Sequence, residues 1–130
     1  MPASDEAMQI AREAAEAADD VKATDLVLLE VADVLALADV FVLATAQSDR
    51  QLKAVGERIE ARLREHGRTP LRREGSPAAG WMLIDYGDLV CHLFSEEMRA
   101  TYALERLWAD VPRHDVTFAP APTAIDAEQA

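Results

Sequence analysis

Hydrophobic and polar positions follow several different periods along this chain, and each change of period marks a boundary. Residues 4–20 repeat alanine at helical spacing behind Ser4, with Asp5 and Glu6 in the first turn, which predicts a capped helix. Its apolar face is mostly alanine with Met8, Ile10 and Val21, so shallow packing and some mobility are expected. From Asp25 the pattern turns nearly continuous. Leu26 to Val31 and Val40 to Thr45 are β-branched-rich runs that predict strands covered on both faces. Ser48-Asp49-Arg50-Gln51 has capping-box spacing, with Gln51 placed to reach back to the Ser48 amide. Leu52, Val55, Ile59 and Leu63 then share one face opposite Lys53, Glu57, Glu60 and Arg64, so a helix should run to about His66 and stop at Gly67.

Pro70 to Glu74 reads as an edge strand, because Pro70 cannot donate to a ladder, and Gly75, Ser76, Pro77 and Gly80 mark a loop. Trp81 to Tyr86 and Asp88 to Phe94 predict an antiparallel hairpin tightly joined around Gly87. Ser95 caps a last helix from Glu96 to about Trp108, ended by Pro112. Beyond it, prolines, alanines and few large apolar residues predict a flexible tail over residues 111–130, after a single domain over residues 1–110. The order α-β-β-α-β-β-β-α predicts an α/β fold in which helices sandwich a single mixed β-sheet.

Composition narrows the function. The chain has 130 residues, half of them hydrophobic, and the longest apolar runs fall well short of a membrane span. No signal-peptide pattern opens it, so a soluble, cytoplasmic protein is expected. A net charge of −11 disfavours phosphate backbones, so no direct nucleic-acid specificity is expected, and it suits a basic protein partner. Residues 50–74 are the exception, with eight Lys or Arg against four Asp or Glu. Either a local anion contact or a solvated helix face would account for them.

Three groups can carry chemistry. Asp85 and Asp88 bracket Gly87, with His92 on the next strand, which would suit a divalent metal or acid–base work. Acids also flank hairpin turns simply because turns are solvated, and this is the favoured reading. Ala46-Gln47-Ser48 precedes a helix start but lacks the glycines that let a phosphate approach the backbone. Cys91 has no basic neighbour to lower its pKa and reads as a packed thiol. No catalytic residue, metal site or cofactor is assigned. The third group is aromatic: Trp81, Leu83 and Asp85 share one strand face, and Met82, Ile84 and Tyr86 share the other. Met98 and Tyr102 stand one helical turn apart, as do Leu104 and Trp108. Such a set is either ordinary core or a protein-binding hot spot.

The stretch from Trp81 to Trp108 closely resembles the ribosomal silencing factor (RsfS, Iojap-like) family. Family members carry a Trp-x-hydrophobic-hydrophobic-Asp-Tyr-Gly-Asp hairpin, a strand histidine and an Arg-x-x-Tyr-x-Leu-Glu-x-Leu-Trp helix. Trp81, Asp85, Tyr86, Gly87, Asp88, His92, Arg99, Tyr102, Leu104, Glu105, Leu107 and Trp108 fill those positions. Upstream, Ala38 to Thr45 resembles a family strand; Ser48, Arg50, Gln51 and Ala54 match the helix opening, and Glu74-Gly75 the loop. Two departures are a missing glycine near Ala46-Gln47 and alanine at position 38 where threonine is frequent.

The resemblance implies a fold related to nucleotidyltransferases but without their catalysis. It implies binding to protein number fourteen of the large ribosomal subunit, blocked docking of the small subunit and repressed translation; it also admits a homodimer. The residues expected to contact the partner are Trp81 as anchor, Leu83, Asp85, Tyr86, Met98, Arg99 and Tyr102. Two rivals stand beside this reading: a ribosome-assembly adaptor, and a nucleotidyltransferase-like enzyme. The enzyme needs a Gly-Ser turn and converging acids, which Ala46-Gln47-Ser48 and Thr69 to Arg73 do not supply.

Overall fold

The computed structural model of the protein describes residues 4–32 and 38–118. Helix α1 (Asp5–Asp20) and helix α2 (Asp49–Glu65) lie on one face of a six-stranded sheet. The strands are β1 (Thr24–Glu30), β2 (Val40–Ala46), β3 (Arg72–Ser76), β4 (Trp81–Asp85), β5 (Leu89–Ser95) and β6 (Arg113–Asp115). Their order across the sheet is β3-β4-β5-β2-β1-β6. Among the described residues, only the central β2–β5 pair is parallel; the other neighbours run antiparallel. The sheet is therefore mixed, as the pattern predicts, with the fully buried β2 at its centre.

Caps and periods explain the main elements. The Ser4 hydroxyl accepts from the Ala7 amide at 3.1 Å, and the Ser48 hydroxyl from the Gln51 amide at 3.0 Å. The Gln51 side chain reaches one residue further back than expected: its carbonyl accepts from the Gln47 amide at 2.6 Å, while its amide donates to Val21 O. Leu52, Val55, Ile59 and Leu63 are all buried against the sheet. The alanines of α1 do not pack shallowly. Ala7, Ala11, Ala14, Ala15, Ala17 and Ala18 are completely enclosed, because small side chains let the helix approach α2 and β2 closely.

The basic stretch has a structural use that neither expectation named. Arg62 spans Glu13, Glu16 and Asp20 of α1 at 3.3, 3.0 and 2.7 Å, and Arg58 also faces Asp20. Arg73 pairs with Glu60, and Arg68 with Asp88. These cations hold α1 to α2 and β3 to its neighbours.

Two expectations at the C-terminal end are corrected. The last helix is broken: α3 (Glu96–Tyr102) and α4 (Leu104–Leu107) are separated by Ala103, a left-handed residue with φ 47° and ψ 46°. The flexible tail does not start at residue 111 either. Residues 113–115 form β6 on the outer edge of β1, with Glu30 N donating to Pro112 O and Val116 N to Leu26 O. Val116 and Phe118 are partly buried against the α1–α2 side of the sheet. The rest of the expected tail, residues 119–130, lies outside the described residues.

Candidate protein-docking face

The two sheet faces have different fates. Leu28, Val42, Ile84, Cys91 and Leu93 point to α1 and α2 and disappear into the larger core. On the opposite face, alternation and register align rows of side chains across neighbouring strands. One row runs Glu74, Leu83, His92, Leu43, Val27 and Asp115; the next runs Arg72, Asp85, Val90, Phe41, Leu29 and Arg113. Leu104 and Trp108 cover the β1–β2 half of this second face. The β4–β5 half keeps a groove of about 290 Å³ floored by Phe41, Leu83, Val90 and His92. Leu71, 73% exposed, stands at its rim with Arg72 and Asp85.

A chain of rings crosses the same face. Trp108 meets Phe41 edge-on at 5.4 Å, Phe41 meets His92 at 4.7 Å, and His92 lies parallel to Phe94 at 6.2 Å. Phe94 then approaches Tyr102 at 5.5 Å, and Tyr102 approaches Trp81 at 6.0 Å. Trp81 is partly exposed and Tyr102 is 47% exposed, so the chain of rings surfaces at this end. Gly75 fixes the tryptophan from below. With φ +78° it takes a conformation that suits glycine, and a Cβ there would lie 2.7 Å from the Trp81 ring and 2.2 Å from its carbonyl oxygen. The sequence marks Gly75 only as a loop residue, and its role as the seat of Trp81 is not visible there.

The expected contact residues thus separate. Trp81, Leu83 and Asp85 share the groove face, with Tyr102 over the first of them. Met98, half-buried, sits against the Gly80 turn that leads into Trp81. Tyr86 is not among them. The strand alternation carries through to residue 86, so its ring is buried on the α2 side with Ile84 and Cys91. Burial raises its phenol pKa, and its hydroxyl has no hydrogen-bond partner among the described residues. Arg99 is also inside, at 9% exposure. It donates to both Glu105 oxygens at 2.8 and 3.1 Å and to the Thr45 hydroxyl at 2.8 Å. Six residues separate Arg99 from Glu105, which on one straight helix would point them well apart. The left-handed Ala103 lets them meet.

The acidic turn is a structural device. Asp85 accepts from the Gly87 amide at 2.8 Å and from Arg72 Nε at 3.1 Å, while Asp88 pairs with Arg68. Burial pushes the Cys91 thiol up to about 12, so it is a packed thiol at neutral pH. Burial drives His92 down to about 4, against the opposite pull of Asp85, leaving a neutral imidazole at neutral pH.

Comparison with known proteins adds an independent line. The family model described as "Ribosomal silencing factor during starvation" matches residues 4–130. A Bacillus subtilis protein named ribosomal silencing factor RsfS is 37% identical over 105 residues, covering 81% of this chain and 89% of its own. A mouse protein named mitochondrial assembly of ribosomal large subunit protein 1 is 32% identical over 89 residues, covering 66% of this chain and 39% of its own. A crystal structure of a Chromobacterium violaceum protein superposes with a TM-score of 0.76 at 30% identity, over 88% of this chain and 93% of that one.

Proposed function

The chain belongs to the ribosomal silencing factor family, and from that premise we propose that it docks on the large ribosomal subunit and keeps the small subunit from joining. The finer reading is that it binds the large-subunit protein number fourteen at the subunit interface and so represses translation. The observation that carries the docking reading is the half-covered sheet face, where Trp81 and Tyr102 surface beside an apolar groove. Aromatic anchors beside a partly desolvated pocket are what a protein-binding hot spot requires. The charge of −11 favours a basic protein surface over bare RNA and speeds encounter with it.

The chemistry of the face supports binding rather than turnover. Asp85 and Asp88 are engaged with Gly87, Arg72 and Arg68, and the His92 imidazole is uncharged at neutral pH. Pelleting purified large subunits with this protein tests docking directly. Co-sedimentation that Trp81→Ala weakens about 30-fold or more, with a near-normal melt, is expected. Equal retention of a well-folded Trp81→Ala would place the site elsewhere. The name of the mouse relative favours a second reading, assembly of the large subunit. An assembly adaptor would bind immature particles in preference to mature subunits, and would leave subunit joining unaffected.

A further inference from the structure

Among the described residues three large apolar side chains are exposed, Leu71, Tyr102 and Leu107, and all three border the second sheet face. Single exposed leucines are ordinary, but their gathering on one side of the molecule marks an interaction surface. Leu71 and Tyr102 flank the groove and the Trp81 ring. Leu107 stands apart from them on α4. It is 75% exposed and borders a second hollow of about 340 Å³, lined also by Trp108, Asp110 and Val111. The two hollows adjoin. Trp108 of the second meets Phe41 of the groove floor edge-on at 5.4 Å.

We infer that Leu107 is a second docking contact, and that the large-subunit protein covering Trp81 reaches past the Phe41–Trp108 contact to place an apolar side chain in the Leu107 hollow. This rests on the docking reading above. Size requires such an extension. A specific protein interface takes up about 800 Å² on each partner, whereas a groove of about 290 Å³ receives no more than a side chain or two. Chemistry sets its direction. Beyond Leu71 the edge strand β3 offers Arg72, Arg73 and Glu74, all exposed and engaged in ion pairs. Towards α4 the surface stays apolar through Trp108, Leu107 and Val111. Asp110, exposed, is the charged residue of that lining among the described residues, and it suits a basic partner.

The test uses the full chain, purified large ribosomal subunits and the variants Leu107→Ala, Leu71→Ala and Trp81→Ala. Leu107→Ala should bind about ten-fold more weakly, with a thermal midpoint within about 2 °C of wild type because the side chain is exposed. Combined with Leu71→Ala, across the face from it, the two losses should multiply. A photo-crosslinking side chain placed at position 107 and, separately, at position 71 should capture the same ribosomal protein. Capture of ribosomal RNA, of a different protein or of a second copy of this chain from position 107 would overturn the inference. So would a midpoint lowered by several degrees in Leu107→Ala, which would show that Leu107 packs within the fold. If Leu107→Ala binds like wild type while Trp81→Ala weakens binding, the contact ends at the groove and the docking face stands without Leu107. If none of the variants weakens binding, the docking face itself is wrong.

Discussion

Arg99→Met is the sharpest test of how the second sheet face is organised. By its position in the sequence motif Arg99 is a partner contact; in the fold it is the tie between β2, α3 and α4. The substitution removes two charge-assisted bonds to Glu105 and leaves the enclosed Thr45 hydroxyl without its donor. Breaking a fully buried ion pair costs about 3–5 kcal/mol. Glu105 is partly in contact with solvent and also lies near Arg113, so about 2–3 kcal/mol is the appropriate range here. For a chain of this length that is a fall of roughly 7–12 °C in the thermal midpoint, readable by circular dichroism. Acid adds a second signature. Arg99 holds the Glu105 carboxyl below its ordinary 4.5, so this stability is present above that pH and is lost as pH falls through the lowered value. Arg99→Met should lack that acid-sensitive component. A midpoint within about 2 °C of wild type, coupled with lost ribosome binding, would refute the argument and return Arg99 to the docking surface.

Four further outcomes follow from the same geometry. Ala103→Gly relieves the left-handed backbone and should stabilise the protein by about 0.5–1 kcal/mol in chemical denaturation, whereas a continuous helix at this point would be destabilised by a glycine. Gly75→Ala should displace Trp81 and weaken large-subunit binding, and unchanged binding would show that Trp81 does not need that seat. Ending the chain after Val111 removes β6 and the packing of Val116 and Phe118, so the midpoint should fall by several degrees; an unchanged melt would mean β6 contributes nothing. His92 has a folded pKa near 4 against an ordinary 6.5, so the unfolded chain takes up more protons between these values. Stability should therefore decline by up to about 3 kcal/mol as pH drops from 6.5 towards 4, a slope that His92→Phe should flatten.

What could be read in advance depended on whether an element is determined locally. The α2 helix carries its own cap, its own period and its own glycine stop, so Ser48, Leu52 to Leu63 and Gly67 suffice to predict it. The hairpin is equally legible, since alternation alone places Trp81, Leu83 and Asp85 opposite Ile84 and Tyr86. Tyr86 belongs to the expected contact set, yet that same alternation carries its ring to the α2 side. The break at Ala103 has no local signal: Ala-Thr-Tyr-Ala-Leu-Glu is a good helical run, and it is bent by the meeting of Arg99 with Glu105 and Thr45. β6 is likewise non-local. Arg113, His114 and Asp115 have little strand propensity and pair only because β1 presents an open edge, with His114 reaching Glu30 at 2.6 Å. The same holds for the cations of α2, whose partners lie on α1, more than 40 residues away in sequence.

The central claim concerns subunit joining. Purified small and large ribosomal subunits are mixed at a magnesium concentration that favours whole ribosomes, with increasing amounts of this protein, and resolved by sedimentation. The account predicts that whole ribosomes decline as free subunits accumulate, with the protein travelling in the large-subunit peak, and that Trp81→Ala shifts this response to much higher concentration. Whole ribosomes that persist while the protein saturates the large subunit would contradict it.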